Sequence, residues 1–136
     1  MSYRAGPQAV LVVAFNSQVF GLDAATGKRL WSSRGTADNV PPRVLVHGDR
    51  VLVAGLEEDS VLLCLDLASG AVLWRRRTQT YGGGLLVDDG RVFLTGNGEV
   101  ECLGLDGEPL WFDGFKGLGR GAVAMALPGQ AVHSDT

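Results

Sequence analysis

The sequence predicts an all-β fold of repeated four-stranded antiparallel units, on three observations. The stretch LDLASGAVLW from Leu65 to Trp74 recurs as LDAATGKRLW from Leu22 to Trp31 and, one residue shorter, as LGLDGEPLW from Leu103 to Trp111. Apolar runs of strand length lie between these stretches and end at Gly, Asn, Asp or Pro, the punctuation of short strands and turns. No segment carries a 3.6-residue apolar period, so helices are not expected. A repeat of about 40 residues with this content is the mark of a stacked or radial β architecture, each unit covering its apolar face with its neighbour.

Each copy encodes a hairpin. An apolar strand runs into Asp-x-x-Thr/Ser-Gly, and the chain returns through a second strand that carries Trp. Asp23 and Thr26 in the first copy, and Asp66 and Ser69 in the second, have side chains that can bond turn amides, while Gly27 and Gly70 supply a positive φ. In the third copy Asp106-Gly107 is the dipeptide favoured in two-residue type I′ turns, which accounts for the missing residue. Trp31, Trp74 and Trp111 thereby fall at equivalent points. A ring of that size recurring at one place is expected to cover the seam between units, its indole N–H finding a backbone carbonyl. Stacking of one of these rings on a sugar or quinone is the sharper alternative.

The pattern resembles the pyrroloquinoline-quinone-like (PQQ-like) β-propeller repeat. Val19, Leu22, Asp23, Thr26, Gly27, Leu30 and Trp31 carry it in the first copy, and Val61, Leu65, Asp66, Ser69, Gly70, Leu73 and Trp74 in the second. Val100, Leu103, Gly107, Leu110 and Trp111 carry it in the third, where Gly104 replaces the Asp. The resemblance implies four-stranded blades around an axis. It implies little about activity, because such propellers include quinone-dependent dehydrogenases, outer-membrane assembly scaffolds and sensor domains, and a shared fold is only an analogy for function. The dehydrogenases use adjacent cysteines and calcium ligands beside the quinone; Cys64 and Cys102 are not neighbours in this sequence.

In order, residues 1–8 are expected to be a loose tail and residues 9–34 a first blade of three strands, with a turn at Asn16-Ser17. A Pro- and Gly-containing crossing leads to a complete second blade over residues 43–78. A crossing with Gly82-Gly83-Gly84 leads to the third over residues 84–113; no Lys-Ser/Thr follows these glycines, so close backbone approach explains them better than a phosphate cradle. A last glycine-rich crossing ends in one closing strand over residues 121–128. The whole of residues 1–136 is thus read as a single half-propeller domain, in strand groups of three, four, four and one.

The 136 residues, 46% hydrophobic with a formal net charge of −3, suit a folded domain and give no basic footprint for nucleic acid. The apolar run from Ala9 to Phe15 is too short to span a bilayer, so neither a membrane anchor nor a signal segment is expected. Two unpaired thiols fit a reducing, cytoplasmic setting. Glu57, Glu58 and Asp59 share one short loop without a His at ligand spacing, which reads as a solvated loop before a metal site. Arg75, Arg76 and Arg77 end an outer strand, where charge discourages edge pairing. His47 in a turn and His133 in the tail have no catalytic partner in sequence.

The expected function is therefore a non-catalytic binding or scaffold module with no cofactor and a protein or peptide partner. Recognition is expected at the acidic loop, the crossing at Asn39–Pro42 or the segment around Phe115. A quinone or other small ligand in an axial channel is the alternative. Propellers close with four to eight blades, so three blades are expected to form a six-bladed ring as a homodimer. In that ring Ala122, Val123, Ala124, Met125, Ala126 and Leu127 of one copy would pair with Val10, Leu11, Val12 and Val13 of the other.

Overall fold

The computed structural model describes residues 9–36, 42–57, 60–80 and 83–133, of which 130–133 as backbone alone. Every regular element among them is a strand. Blade 1 comprises β1 (Val10–Phe15), β2 (Gln18–Asp23) and β3 (Arg29–Arg34) in that order across the sheet. Blade 2 comprises β4 (Arg43–His47), β5 (Arg50–Ala54), β6 (Val61–Asp66) and β7 (Val72–Arg77). Blade 3 comprises β8 (Leu85–Asp88), β9 (Arg91–Gly96), β10 (Glu99–Gly104) and β11 (Pro109–Asp113). A two-stranded sheet of β12 (Ala124–Leu127) and β13 (Gln130–His133) follows. All pairings are antiparallel.

Tight turns set these registers. Asn16 and Ser17 have φ of 50° and 61°, and Asn97 and Gly98 of 54° and 84°, the double positive φ of the primed turns whose twist matches that of the flanking strands. Asp23 and Asp66 act as foreseen. Asp23 Oδ1 accepts from Ala25 N at 2.8 Å, and Asp66 Oδ2 accepts from Ser69 N at 3.0 Å and Ser69 Oγ at 2.8 Å. Thr26 Oγ1 accepts from Lys28 N at 3.2 Å.

The core lies between the sheets. Leu52, Ala54, Leu62 and Cys64 of blade 2 pack on Leu85, Val87, Val92, Leu94 and Leu103 of blade 3. On the opposite face Val51, Val53, Val61, Leu63 and Leu65 pack on Val19 and Trp31 of blade 1. Strands β5 and β6 are covered on both faces, which is why their sequences, RVLVA and VLLCLD, are almost continuously apolar.

Three expectations are corrected. Asp106-Gly107 does not form a two-residue type I′ turn: only Gly107 has positive φ, 92°, and Leu105, Asp106 and Gly107 all lie within the loop closed by Gly104 N to Glu108 O at 2.7 Å. A three-residue loop ending in a left-handed Gly absorbs the deletion instead. The closing strand begins at Ala124, because the crossing runs through positive φ at Gly117, Gly119 and Gly121 up to the residue before Ala122.

That strand is also not alone. Pro128-Gly129, with Gly129 at φ 82°, turns the chain back so that β13 pairs with β12 along its length, from Ala124↔His133 to Leu127↔Gln130. His133 therefore ends a strand, and His47 likewise ends β4. By the repeat register β13 corresponds to β1, so the edge of β12 expected to receive Val10–Val13 of a second copy holds β13. The expected tail, residues 1–8, lies outside the described residues.

Candidate functional site

The seams between blades are built from one repeated joint. Trp31, 9% exposed, extends from β3 across the seam and donates its indole N–H to the Leu67 carbonyl of blade 2 at 2.8 Å. Trp74 does the same from β7 to the Leu105 carbonyl of blade 3 at 3.1 Å. Leu67 and Leu105 each open the turn after the third strand of their blade. Gly70 and Gly107 lie against the rings: a Cβ on Gly70 would come within 2.4 Å of Trp31 Cε3, and one on Gly107 within 2.9 Å of Trp74 Cδ2. Only glycine lets the indole lie flat on the turn.

On its own blade each Trp faces a small residue, Gly21, Cys64 or Cys102, and a β-bulge follows that residue in all three blades. The bulge re-aims the returning strand so that the ring crosses the seam. Arg50 and Arg76 add further bonds over the second seam, to the carbonyls of Leu105 at 2.9 Å and Gly107 at 2.7 Å. Arg75 pairs with Glu57, and Arg77 Nη1 reaches Ser60 Oγ at 3.4 Å, so the arginine run serves seams and loops as well as the edge.

The joint is left open at both ends. Trp111 stands on β11 where Trp31 and Trp74 stand on theirs, yet it is 48% exposed, in a tilted contact with Phe93 at 6.1 Å, and its indole N–H has no acceptor among the described residues. At the other end, the turn holding Ala24 and Gly27 matches the turns on which Trp31 and Trp74 rest. Among the described residues, nothing lies within 4 Å of a Cβ built on Gly27. Beside it is a cavity of about 240 Å³ lined by Val13, Phe15, Phe20, Leu22, Gly27 and Arg29. Val13, Phe20, Leu22 and Gly27 are the register equivalents of Val53, Leu63, Leu65 and Gly70, which surround the indole of Trp31. The cavity thus repeats, in these four positions, the surroundings of the Trp31 indole.

The expected recognition loops are placed as follows. Glu57 is paired with Arg75 and Thr36 Oγ1 bonds its carbonyl at 3.3 Å, while Glu58, Asp59 and residues 37–41 of the Pro-rich crossing lie outside the described residues. Phe115 has φ 48° and is 42% exposed. It borders a cleft of about 260 Å³ with Asn97, Glu99, Lys116 and Arg120. Gly83 approaches the Thr95 carbonyl so closely that a Cβ would come within 1.6 Å. Among the described residues no three His, Cys, Asp or Glu side chains are grouped to hold a metal, and no helix is long and apolar enough to cross a membrane.

Sequence reasoning missed Glu101. It is 4% exposed, and its Oε1 accepts from Gln79 N at 2.9 Å, Thr80 N at 3.1 Å and Thr80 Oγ1 at 3.2 Å, tying the crossing between blades 2 and 3 to β10. The signal was an acid at the position that holds Phe20 and Leu63 in the other copies.

Cys64 and Cys102 are free and fully buried, and burial raises the pKa of both thiols. A raised folded-state pKa means that the thiols favour folding below the ordinary thiol pKa of about 8.5 and that this contribution is lost as pH rises through the raised value. Ellman's reagent at pH 8 is expected to label neither thiol in the folded chain and both in denaturant; rapid native labelling would show that the seams open.

A family model described as the outer membrane protein assembly factor BamB matches residues 57–132. Quinoprotein ethanol dehydrogenase of Pseudomonas aeruginosa is 30% identical over 122 residues, 84% of this chain and 18% of that protein. The chain thus spans about a fifth of that relative's length. The crystal structure of BamB from Moraxella catarrhalis superposes with TM-score 0.61 at 28% identity, covering 76% of this chain and 33% of that one. Quinohemoprotein alcohol dehydrogenase from Comamonas testosteroni superposes with TM-score 0.62 at 24% identity, covering 76% and 19%, and bears on the fold alone. With its three repeat copies built as β-blades joined by the same Trp, the chain belongs to the PQQ-like β-propeller repeat family.

Proposed function

We propose that this chain is a non-catalytic docking module, binding protein through its two open blade faces and closing with a second copy into a six-bladed ring. One observation carries the reading: the joint that holds the blades together is used twice inside the chain and presented unmated at each end, as Trp111 and as the cavity beside Gly27. A surface that repeats the chemistry of an internal protein–protein seam is suited to another protein surface. Six blades lie within the range in which propellers close, and closure would bury an obligate-sized area, above about 2,000 Å² in total. BamB, the assembly factor among the similar structures, supports a scaffold role by analogy.

The test sets docking against cofactor binding. Light scattering of the purified chain at micromolar concentration is expected to give a complex larger than the monomer. Titration with pyrroloquinoline quinone and calcium is expected to leave the absorbance spectrum equal to the sum of its components. A monomer that binds quinone stoichiometrically would overturn the docking reading and favour a quinone-dependent enzyme.

A further inference from the structure

We propose that Trp111 of one copy seats in the blade 1 cavity of a second copy, donating its indole N–H to the Ala24 carbonyl there. This rests on the docking reading above and names its partner and its joint. The two internal joints specify what a seated Trp needs: a carbonyl at the residue that opens the turn, a glycine beneath the ring and apolar side chains around it. Blade 1 offers the glycine and the apolar group in Gly27, Val13, Phe20 and Leu22, which line a cavity of about 240 Å³, and by the repeat register Ala24 stands where Leu67 and Leu105 present their carbonyls.

The burial pattern points the same way. Leu11 is 52% exposed where its register equivalent Val51 is fully buried, and Trp111 is 48% exposed where Trp31 is 9% exposed. Both halves lie on one chain, so a second copy related by a two-fold axis mates both at once: each copy's Trp111 enters the other's cavity, the reciprocal contact of a closed symmetric dimer. A single chain cannot do this for itself, because its two halves stand on the outward faces of blades 1 and 3 with blade 2 between them. Seating brings β1 of the second copy to the edge of β12 that β13 holds, so β13 cedes that edge on association.

The test uses two variants of the full chain, each removing one half of the joint. Trp111→Ala removes an exposed ring. Gly27→Asn fills the seat with a residue that tolerates the left-handed φ of 78° there. Truncating a hot-spot Trp weakens binding roughly thirtyfold per joint, so losing both joints is expected to weaken dimerisation roughly a thousandfold. Each variant alone is then expected to scatter as a monomer where the unmodified chain is a dimer, with the far-UV circular dichroism of the unmodified chain.

Mixed one to one, the two variants are expected to recover a heterodimer, because the Trp111→Ala copy keeps its seat and the Gly27→Asn copy keeps its Trp. One intact joint places that heterodimer roughly thirtyfold below the unmodified dimer. A Trp111→Ala chain that still dimerises would remove this joint and leave the docking reading standing. Variants that stay monomeric when mixed would also remove the joint. An unmodified chain that is monomeric at every concentration would remove both.

Discussion

Replacing Trp31 with alanine is expected to destabilise the chain by about 3–5 kcal/mol, the range for truncating a buried aromatic side chain. Three losses add up at this site. The ring leaves the cluster of Val51, Val53, Leu63 and Leu65, the Leu67 carbonyl loses its donor at 2.8 Å, and a void opens over Gly21 and Gly70. Trp31→Phe keeps most of the packing and loses the hydrogen bond, so its cost is expected at about 1–2 kcal/mol. The control is Trp111→Ala: the same substitution at the same point of the repeat, with the ring half in solvent, is expected to cost under about 1 kcal/mol in the monomer. Equilibrium urea unfolding followed by far-UV circular dichroism separates these outcomes without depending on tryptophan emission. Equal costs at Trp31 and Trp111 would contradict the seam joint.

Glu101→Ala is expected to cost about 3 kcal/mol, from a different source. The substitution leaves two backbone amides and a hydroxyl facing a buried site with no acceptor, and an unsatisfied buried donor is costlier than a hydrogen bond is favourable. Glu101→Gln keeps a carbonyl oxygen where Oε1 accepts from Gln79 N, Thr80 N and Thr80 Oγ1, so its expected cost is about 1 kcal/mol. Glu101→Leu copies the residue at the equivalent position of blade 2 and is expected to behave like alanine, because the crossing after blade 2 still presents its amides. Amide hydrogen exchange gives the site-specific check: protection at Gln79 and Thr80 is expected to fall in the alanine and leucine variants and to persist in the glutamine variant. Unchanged protection in Glu101→Ala would show that the crossing is held by other contacts.

Strand existence and order were legible in the sequence because they depend on local features: a two-residue side-chain alternation, a turn dipeptide or a repeat of Trp. The three repeat copies located blades 1, 2 and 3, and the Asn16-Ser17 turn fell where it was expected. The Asp106-Gly107 turn was misread because a dipeptide does not say how many residues its loop closes over; the Gly104–Glu108 hydrogen bond decided that. Strand β13 was missed because a four-residue run has little pattern of its own and is stabilised by pairing with β12.

Which apolar faces are covered was decided by tertiary structure alone. VLVVAF in β1 and RVLVA in β5 read alike, yet β5 is buried on both faces between two blades and β1 is covered on one. Trp31 and Trp111 share a motif, and one is seated while the other faces solvent. Glu101 is an ordinary acid in sequence and becomes a buried acceptor because the crossing after blade 2 folds over it. The physical reason is common to all three. A side chain's direction follows from the pleat of its own strand, whereas its burial follows from what the chain places opposite it, tens of residues away.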